Sequence, residues 1–422
     1  MNVSLTDITL FKLQAIQWAS QFNICCVFES NNYEDKYSQF DFLLGADSLS
    51  KIEIFSKNFN SFAQLSNYKL DKKWLLGGFG YDLKNELENI LSNNKDELNF
   101  PDLFFFEPKH LLQINGNTLT IISDEADNIY QQILITKINA KKFEFNGVLK
   151  SFFTQAQYEK TFDKILSHIN RGNIYISNFC IEYYAENAEI NPVKAFEKLN
   201  QLSPAPFANF FRWDDKYVIC TSPERFLAKR GSKIISQPIK GTAKRNANVI
   251  IDNQLKNDLK SNAKEQQENV MIVDLVRNDL TKSAQATTVK VEELFGVYSF
   301  AQVHQMISTV VCEAKPELDV VDIIKNTFPM GSMTGAPKLK AMEIIEQYEQ
   351  TKRGMYSGSI GYFAPNGDFD FNVIIRTILY NATKKYVSFE VGSAITINAN
   401  AKKEYEECLL KADAILKVLN GK

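Results

Sequence analysis

The sequence predicts an α+β fold, and two observations carry that reading. Strand-like apolar runs gather between 207 and 239 and again between 354 and 397. Helical periodicity dominates 248–276, 337–349 and 401–419. A chain of 422 residues with 45% hydrophobic composition has ample material for a large buried core.

The elements follow in chain order. The first 120 residues are aromatic-rich and irregular, with Phe104-Phe105-Phe106 enclosed by Pro101 and Pro108 as core or as an interdomain seam. Leu76-Gly77-Gly78-Phe79-Gly80 contains a G-x-G, but the segment after it is charged rather than an apolar helix. A tight strand connection is therefore expected there, not a dinucleotide loop. Residues 118–125 and 143–150 read as strands. Thr154 is placed to cap a helix running to about His168, with Tyr158, Phe162, Ile165 and Leu166 on its apolar face. Gly172 ends it, and Ile174-Tyr175-Ile176 resumes extended patterning. Phe207–Leu227 reads as strands parted at Asp214-Asp215, and Lys233–Ile239 as another, with Pro238 at an edge or bulge. Gly354–Phe363, Phe371–Leu379 and Tyr386–Ile397 read as strands of a substantial sheet. The division expected is an N-terminal, structurally integrated region, 1–125, and a catalytic region, 126–422, with one intertwined body as the alternative.

Composition excludes several functions. The net charge is −2 and no long basic block exists, so phosphate backbones have no stripe to bind; no nucleic acid is expected. No run approaches the roughly 20 apolar residues that span a bilayer, and the N-terminus lacks a signal-peptide pattern, so a soluble cytoplasmic protein without a membrane role is expected. Six scattered cysteines without a CxxC pair read as reduced thiols. Three distant histidines make a histidine-rich zinc site improbable.

The chemistry-bearing residues lie in the C-terminal half. Glu265 and Glu268 sit one helical turn apart, as do Glu404 and Glu407. Brought together they would repel one another, and a divalent cation would relieve that repulsion; two solvated acidic faces are the more common explanation of such pairs. Phe328-Pro329-Met330-Gly331-Ser332-Met333-Thr334-Gly335-Ala336-Pro337-Lys338 is a glycine-bearing turn before a helix, fit either for anion binding at free N–H groups or for an ordinary turn with Thr334 as cap. Arg376 follows an apolar strand and suits bidentate carboxylate binding or a structural ion pair. Gly392-Ser393-Ala394 would let backbone approach the same anion, or simply bend the strand. Lys240 in Pro238-Ile239-Lys240-Gly241-Thr242 is a nucleophile if desolvated and a solvated surface residue otherwise. Glu224 is a proton donor, or a partner of Arg225 or Lys229.

Together these segments closely resemble the chorismate-utilising enzyme family, which includes anthranilate synthase component I, aminodeoxychorismate synthase component I and the isochorismate and salicylate synthases. SPERF, PIKGT, KEQQENVMIVDLVRNDL, FPMGSMTGAPKLKAMEIIE, YSGSIGYF, NVIIRT and KKEYEECLLKAD occur in family order over about 200–420, with weaker likenesses in LLGGFGYD, GNIYISNF and Pro204-Ala205-Pro206-Phe207. The resemblance implies a large α+β fold of antiparallel sheets surrounded by helices around a deep cleft. It implies a magnesium ion (Mg2+) on Glu268 and Glu407, with Glu265 and Glu404 nearby. It implies chorismate held by Gly241, Thr242, Thr334, Gly335, Arg376 and the Gly392-Ser393-Ala394 segment, with Glu224 as the proton-transfer acid. Lys240 resembles the aminodeoxychorismate synthase form, where anthranilate synthases have alanine. That implies a covalent lysine at C2 of chorismate, ammonia added at C4, and 4-amino-4-deoxychorismate as product, toward 4-aminobenzoate and folate. Ammonia would come from a separate glutaminase subunit. The alternatives are anthranilate or isochorismate formation, or a noncatalytic chorismate-binding subunit. Gln305 where relatives commonly have histidine, Met330 where glycine is usual, and Ser393-Ala394 motivate the last; Asn398-Ala399 also departs from the family pattern.

Overall fold

The computed structural model describes residues 1–55, 60–68 and 72–420. Its paired strands are antiparallel and form one hydrogen-bonded path. The first stretch runs Ile176–Ala185, Tyr386–Thr396, Thr377–Asn381, Lys216–Ser222, Phe207–Trp213, Ile24–Glu29 and Phe42–Ile54. Leu103–Asn115 pairs with Phe42–Ile54 and hands the path to Leu75–Phe79. The second stretch continues through Ser359–Phe363, Phe369–Asn372, Arg225–Arg230, Lys233–Gln237 and Val303–Glu313. Ile239–Lys244 and Lys290–Ser299 flank that last strand. Strands from before residue 126 thus sit between strands from after it.

Two cores follow from the strand period of two. In Ile24–Glu29, Ile24 and Cys26 join a core shared by both stretches, with Trp213, Phe104, Leu227 and Val310. Cys25 and Val27 point the other way, into a core covered by the helices Ile8–Ala19, Gln155–Asn170, Pro192–Leu202 and Ala401–Asn420. Phe104, Phe105 and Phe106 are fully buried in the shared core. Trp18 and Trp213 are buried, and Trp74 packs against the shared core. All six cysteines are buried and free. Among the described residues no helix is long and apolar enough to cross a membrane.

Most expected elements form where patterning put them. Thr154 builds a full capping box with Gln157 ahead of Gln155–Asn170. The hairpin at Asp214-Asp215 joins Phe207–Trp213 to Lys216–Ser222. Leu75–Phe79 is itself a buried central strand, not the tight strand connection expected there. Other expectations are corrected as well. Residues 143–149 form no strand; Phe143, Phe145 and Leu149 pack on the helix-covered core instead. The 248–276 helix is two helices, Val249–Ser261 and Ala263–Thr281, because Asn262 caps the second with its side chain. The strand expected from Gly354 starts at Ser359, after a turn, and the 371–379 run breaks between Asn372 and Thr377. Thr334 is not the helix cap: the residue before Lys338–Tyr348 is Pro337, and no side chain caps that helix.

Candidate active site

A cavity of about 550 Å³ opens where the ends of the two stretches meet the helices Ala263–Thr281 and Ala401–Asn420. Lys240, Glu224, Gly241, Thr242, Glu265, Glu268, Arg376, Gly392, Ala394, Glu404 and Glu407 all line it. Residues nearly 200 positions apart in sequence therefore face one space.

Thr334, Gly335 and Ser393 do not line it. The Thr334 hydroxyl is buried and donates back to the Met330 and Gly331 carbonyls, closing its own turn. Gly335 pairs with Ser177, where a Cβ would lie 2.1 Å from the Ile176 carbonyl oxygen; glycine is there so that two backbones can touch. Ser393 lies on the odd-numbered face of its strand and bonds the Tyr158 hydroxyl at 2.8 Å, under the helices.

Lys240 lies on the strand Ile239–Lys244, whose next residue, Gly241, has φ +103°. A side chain at Gly241 would be strained by that backbone and would also stand 3.2 Å from Glu265 Oε2. Lys240 Nζ is 3.9 Å from Glu268 Oε2. Glu224 is buried close to Lys240. Burial pushes its carboxyl up to about 7, against hydrogen bonds from Ser332 and the Ile239 backbone and the positive charge of Lys240. Of the ordinary pairings expected for Glu224, the one with Arg225 does not form, since Arg225 is bound to Asp35, Asp370 and Gln237.

Arg376 has φ +54°, a conformation that side-chain-bearing residues seldom adopt, in the gap between two strands. Its carbonyl is fixed by the Thr221 N–H at 3.2 Å. Among the described residues its guanidinium makes no ion pair and no hydrogen bond, and burial lowers its pKa. A cation left without a partner in a cavity is matched to an anion that arrives from outside. Tyr356, which the motif reading did not single out, lines the cavity beside it, and its phenol has no protein partner among the described residues either.

The acidic residues are interleaved with two lysines that sequence reasoning also missed. Lys264 Nζ stands 3.7 Å from both Glu268 and Glu404. Lys411 Nζ is 2.7 Å from Glu407 and donates to the Gly392 carbonyl at 2.9 Å. Lys411 holds Glu407 down to about 2, while burial and Glu407 itself push Glu404 up to about 7. Burial and Glu268 raise Glu265. The i,i+4 spacing of Lys264 with Glu268 and of Glu407 with Lys411 was the available signal. Among the described residues no three acidic, histidine or cysteine side chains are gathered as a ready metal cluster. The donors are nonetheless all carboxylate oxygens, the type a hard divalent cation takes, and lysine ammonium groups sit between them.

The departures have local explanations. Gln305 lines the cavity, with its Oε1 buried and unpartnered. The adjacent His304 points to the opposite face, toward Asp252 at 3.1 Å and Ser299 at 2.9 Å, and does not replace it. Met330 has φ −62°, which needs no glycine.

Comparison with known proteins agrees with this architecture. The family model described as chorismate binding enzyme matches residues 19–417. An aminodeoxychorismate synthase component 1 of Bacillus subtilis is 33% identical over 361 residues, covering 82% of this chain and 76% of that protein. An anthranilate synthase component I-like protein of Synechocystis is also 33% identical, over 355 residues, 82% of this chain and 72% of that one. The crystal structure of anthranilate synthase component I from Streptococcus pneumoniae superposes with a TM-score of 0.79 at 24% identity, covering 90% of this chain and 93% of that one.

Proposed function

Since the chain belongs to the family of chorismate-binding enzymes, we propose that it aminates chorismate at C4, giving 4-amino-4-deoxychorismate. Relatives of equal identity carry two different activities in their names, so similarity alone does not choose between them. The observation that carries the choice is Lys240, a nucleophile lining the same cavity as the proton donor Glu224 and the unpaired Arg376.

The reaction divides among these groups. Arg376 binds a substrate carboxylate through its fork of N–H donors. The Lys240 amine forms a bond to C2 as both ring double bonds shift and the C4–O bond breaks. Glu224 gives its proton to the departing hydroxyl, which leaves as water. Ammonia then bonds to C4, both double bonds shift back, and the C2–Lys240 bond breaks, with Glu224 taking up the proton ammonia sheds. One water leaves for each ammonia consumed, and the enolpyruvyl group is retained. Glu268 and Glu407, with Glu265 and Glu404, are the residues that would hold magnesium, which when bound offsets the charge of a substrate carboxylate. The component 1 names of relatives support a separate glutaminase subunit as the ammonia source, and 4-aminobenzoate and folate formation as the use of the product.

The test is purified protein with chorismate, magnesium and ammonium, followed by mass analysis of the product. The expected result is 4-amino-4-deoxychorismate, with Lys240→Ala at least about a hundredfold slower. Anthranilate or isochorismate as sole product overturns the C4 assignment; full amination by Lys240→Ala overturns the covalent step.

A further inference from the structure

Glu390 is a further unpaired polar group in this cavity, and no motif points to it. The strand Tyr386–Thr396 alternates: Val391 and Ile395 enter the helix-covered core, Val391 also bordering the cavity, whereas Glu390, Gly392 and Ala394 line the cavity. Glu390 is 5% exposed and, among the described residues, makes no hydrogen bond and no ion pair.

Its neighbours cannot serve it. The facing residue is Glu182, whose carboxylate already accepts from Ser388 Oγ at 2.6 Å and Tyr386 OH at 3.1 Å. The one guanidinium that acts on it, Arg353, is committed to Glu349 at 2.7 and 2.9 Å, to Ser357, and to the Met333 and Asn178 carbonyls. Burial, then Glu182 and Glu349, with Asp82 adding to them, outweigh Arg353 and raise the Glu390 carboxyl well above its ordinary value. It is therefore a carboxylic acid with an O–H to donate and no acceptor among the described residues. A buried donor left unmet is costly, so a ligand atom is the natural acceptor.

Position says which ligand atom. Thr396, at the other end of the strand, bonds Glu268 at 3.3 Å and so marks the carboxylate-cluster end of the cavity. Glu390 is six residues back, roughly 20 Å along extended chain, out of reach of a group bound at that cluster. At its own end, Glu390 is near enough to Tyr356 to raise its phenol pKa, and Tyr356 bears in the same way on Arg376. An anion held by Arg376 would meet both O–H groups, and O–H to carboxylate bonds are among the strong ones.

We propose that Glu390 is a substrate-binding residue whose carboxyl O–H donates to the substrate carboxylate held by Arg376. This rests on the reading of chorismate as substrate given above.

The test measures chorismate affinity by calorimetry, with kcat and KM and product identity, for the full chain and for Glu390→Gln, Glu390→Met and Glu390→Ala. Gln keeps a donor; Met matches its size without one; Ala covers the case that Met does not fold. Gln is expected to bind within about threefold of wild type. Met or Ala should bind about tenfold to a hundredfold more weakly, with KM rising more than kcat falls. Met or Ala binding as tightly as wild type, or Gln binding as poorly as they do, overturns the proposal. If wild type binds chorismate but makes another product, the C4 reading falls, while the same affinities still decide the role of Glu390. If wild type does not bind chorismate, both fall.

Discussion

At the residue scale, the cavity separates its charges by what each side chain touches. Arg376 has no partner among the described residues and is kept for an anion, whereas Lys264 and Lys411 are engaged with carboxylates. Burial favours the protonated form of Glu224 up to about pH 7, and Lys240, which shares the cavity, lies close enough to act on its charge. Because that pKa is raised, the proton it donates to the C4 hydroxyl is in place below about 7 and is lost as pH rises through that value. The rate of chorismate consumption at saturating ammonia should therefore fall about tenfold per pH unit above it. Glu224→Gln should be slower by about a hundredfold or more, should lack that descending limb, and should bind chorismate as wild type does. A Gln variant that keeps the limb would assign it to another group. The same sign holds for stability. The protonated, buried carboxyl favours the fold most below the ordinary glutamate pKa, and that contribution is lost as pH rises to about 7.

At the scale of elements, helix ends and caps decide what sits behind the cavity. The helix Gln155–Asn170 carries Tyr158, whose hydroxyl bonds Ser393 on the reverse face of the strand that presents Glu390 and Gly392. Thr154→Ala removes the cap that starts this helix, and should cost about 1 kcal/mol in urea unfolding while leaving KM for chorismate unchanged. A rise in KM without loss of stability would place Thr154 in the site rather than behind it. Such caps, and the acidic pairs on helices, were readable because their spacing is local. Facing was harder: Ser393 belongs to a segment that reaches the cavity, yet an odd position on a strand puts it on the far side. Register breaks were unreadable, since Phe371–Leu379 is apolar throughout and nothing in that composition marks the gap where Arg376 turns at φ +54°. Residues 143–149 alternate like a strand but have no partner edge, and alternation alone cannot supply one. Glu390 carried no motif, and only burial without a partner reveals it.

At the scale of the whole molecule, the cavity lies between the two ends of a single strand path, and the middle of that path is N-terminal. Ile24–Glu29 pairs with Phe207–Trp213, and Leu75–Phe79 pairs with Ser359–Phe363, joined through Phe42–Ile54 and Leu103–Asn115. A chain of residues 126–422 would keep every cavity-lining side chain and lose the strands that connect the two walls. It would also lose Phe104, Phe105 and Phe106 from the shared core. Burying a side chain of that size stabilises by about 1.5–3 kcal/mol, so three remove roughly 5–9 kcal/mol, against a total of about 5–15 kcal/mol for a folded domain. The truncated chain is therefore expected to lack a cooperative urea transition by circular dichroism and to bind chorismate at least about a hundredfold more weakly than the full chain. A truncated chain that unfolds cooperatively and binds chorismate as the full chain does would make the N-terminal strands an appendage. The walls of the cavity would then be held by the helices Ala263–Thr281 and Ala401–Asn420 alone.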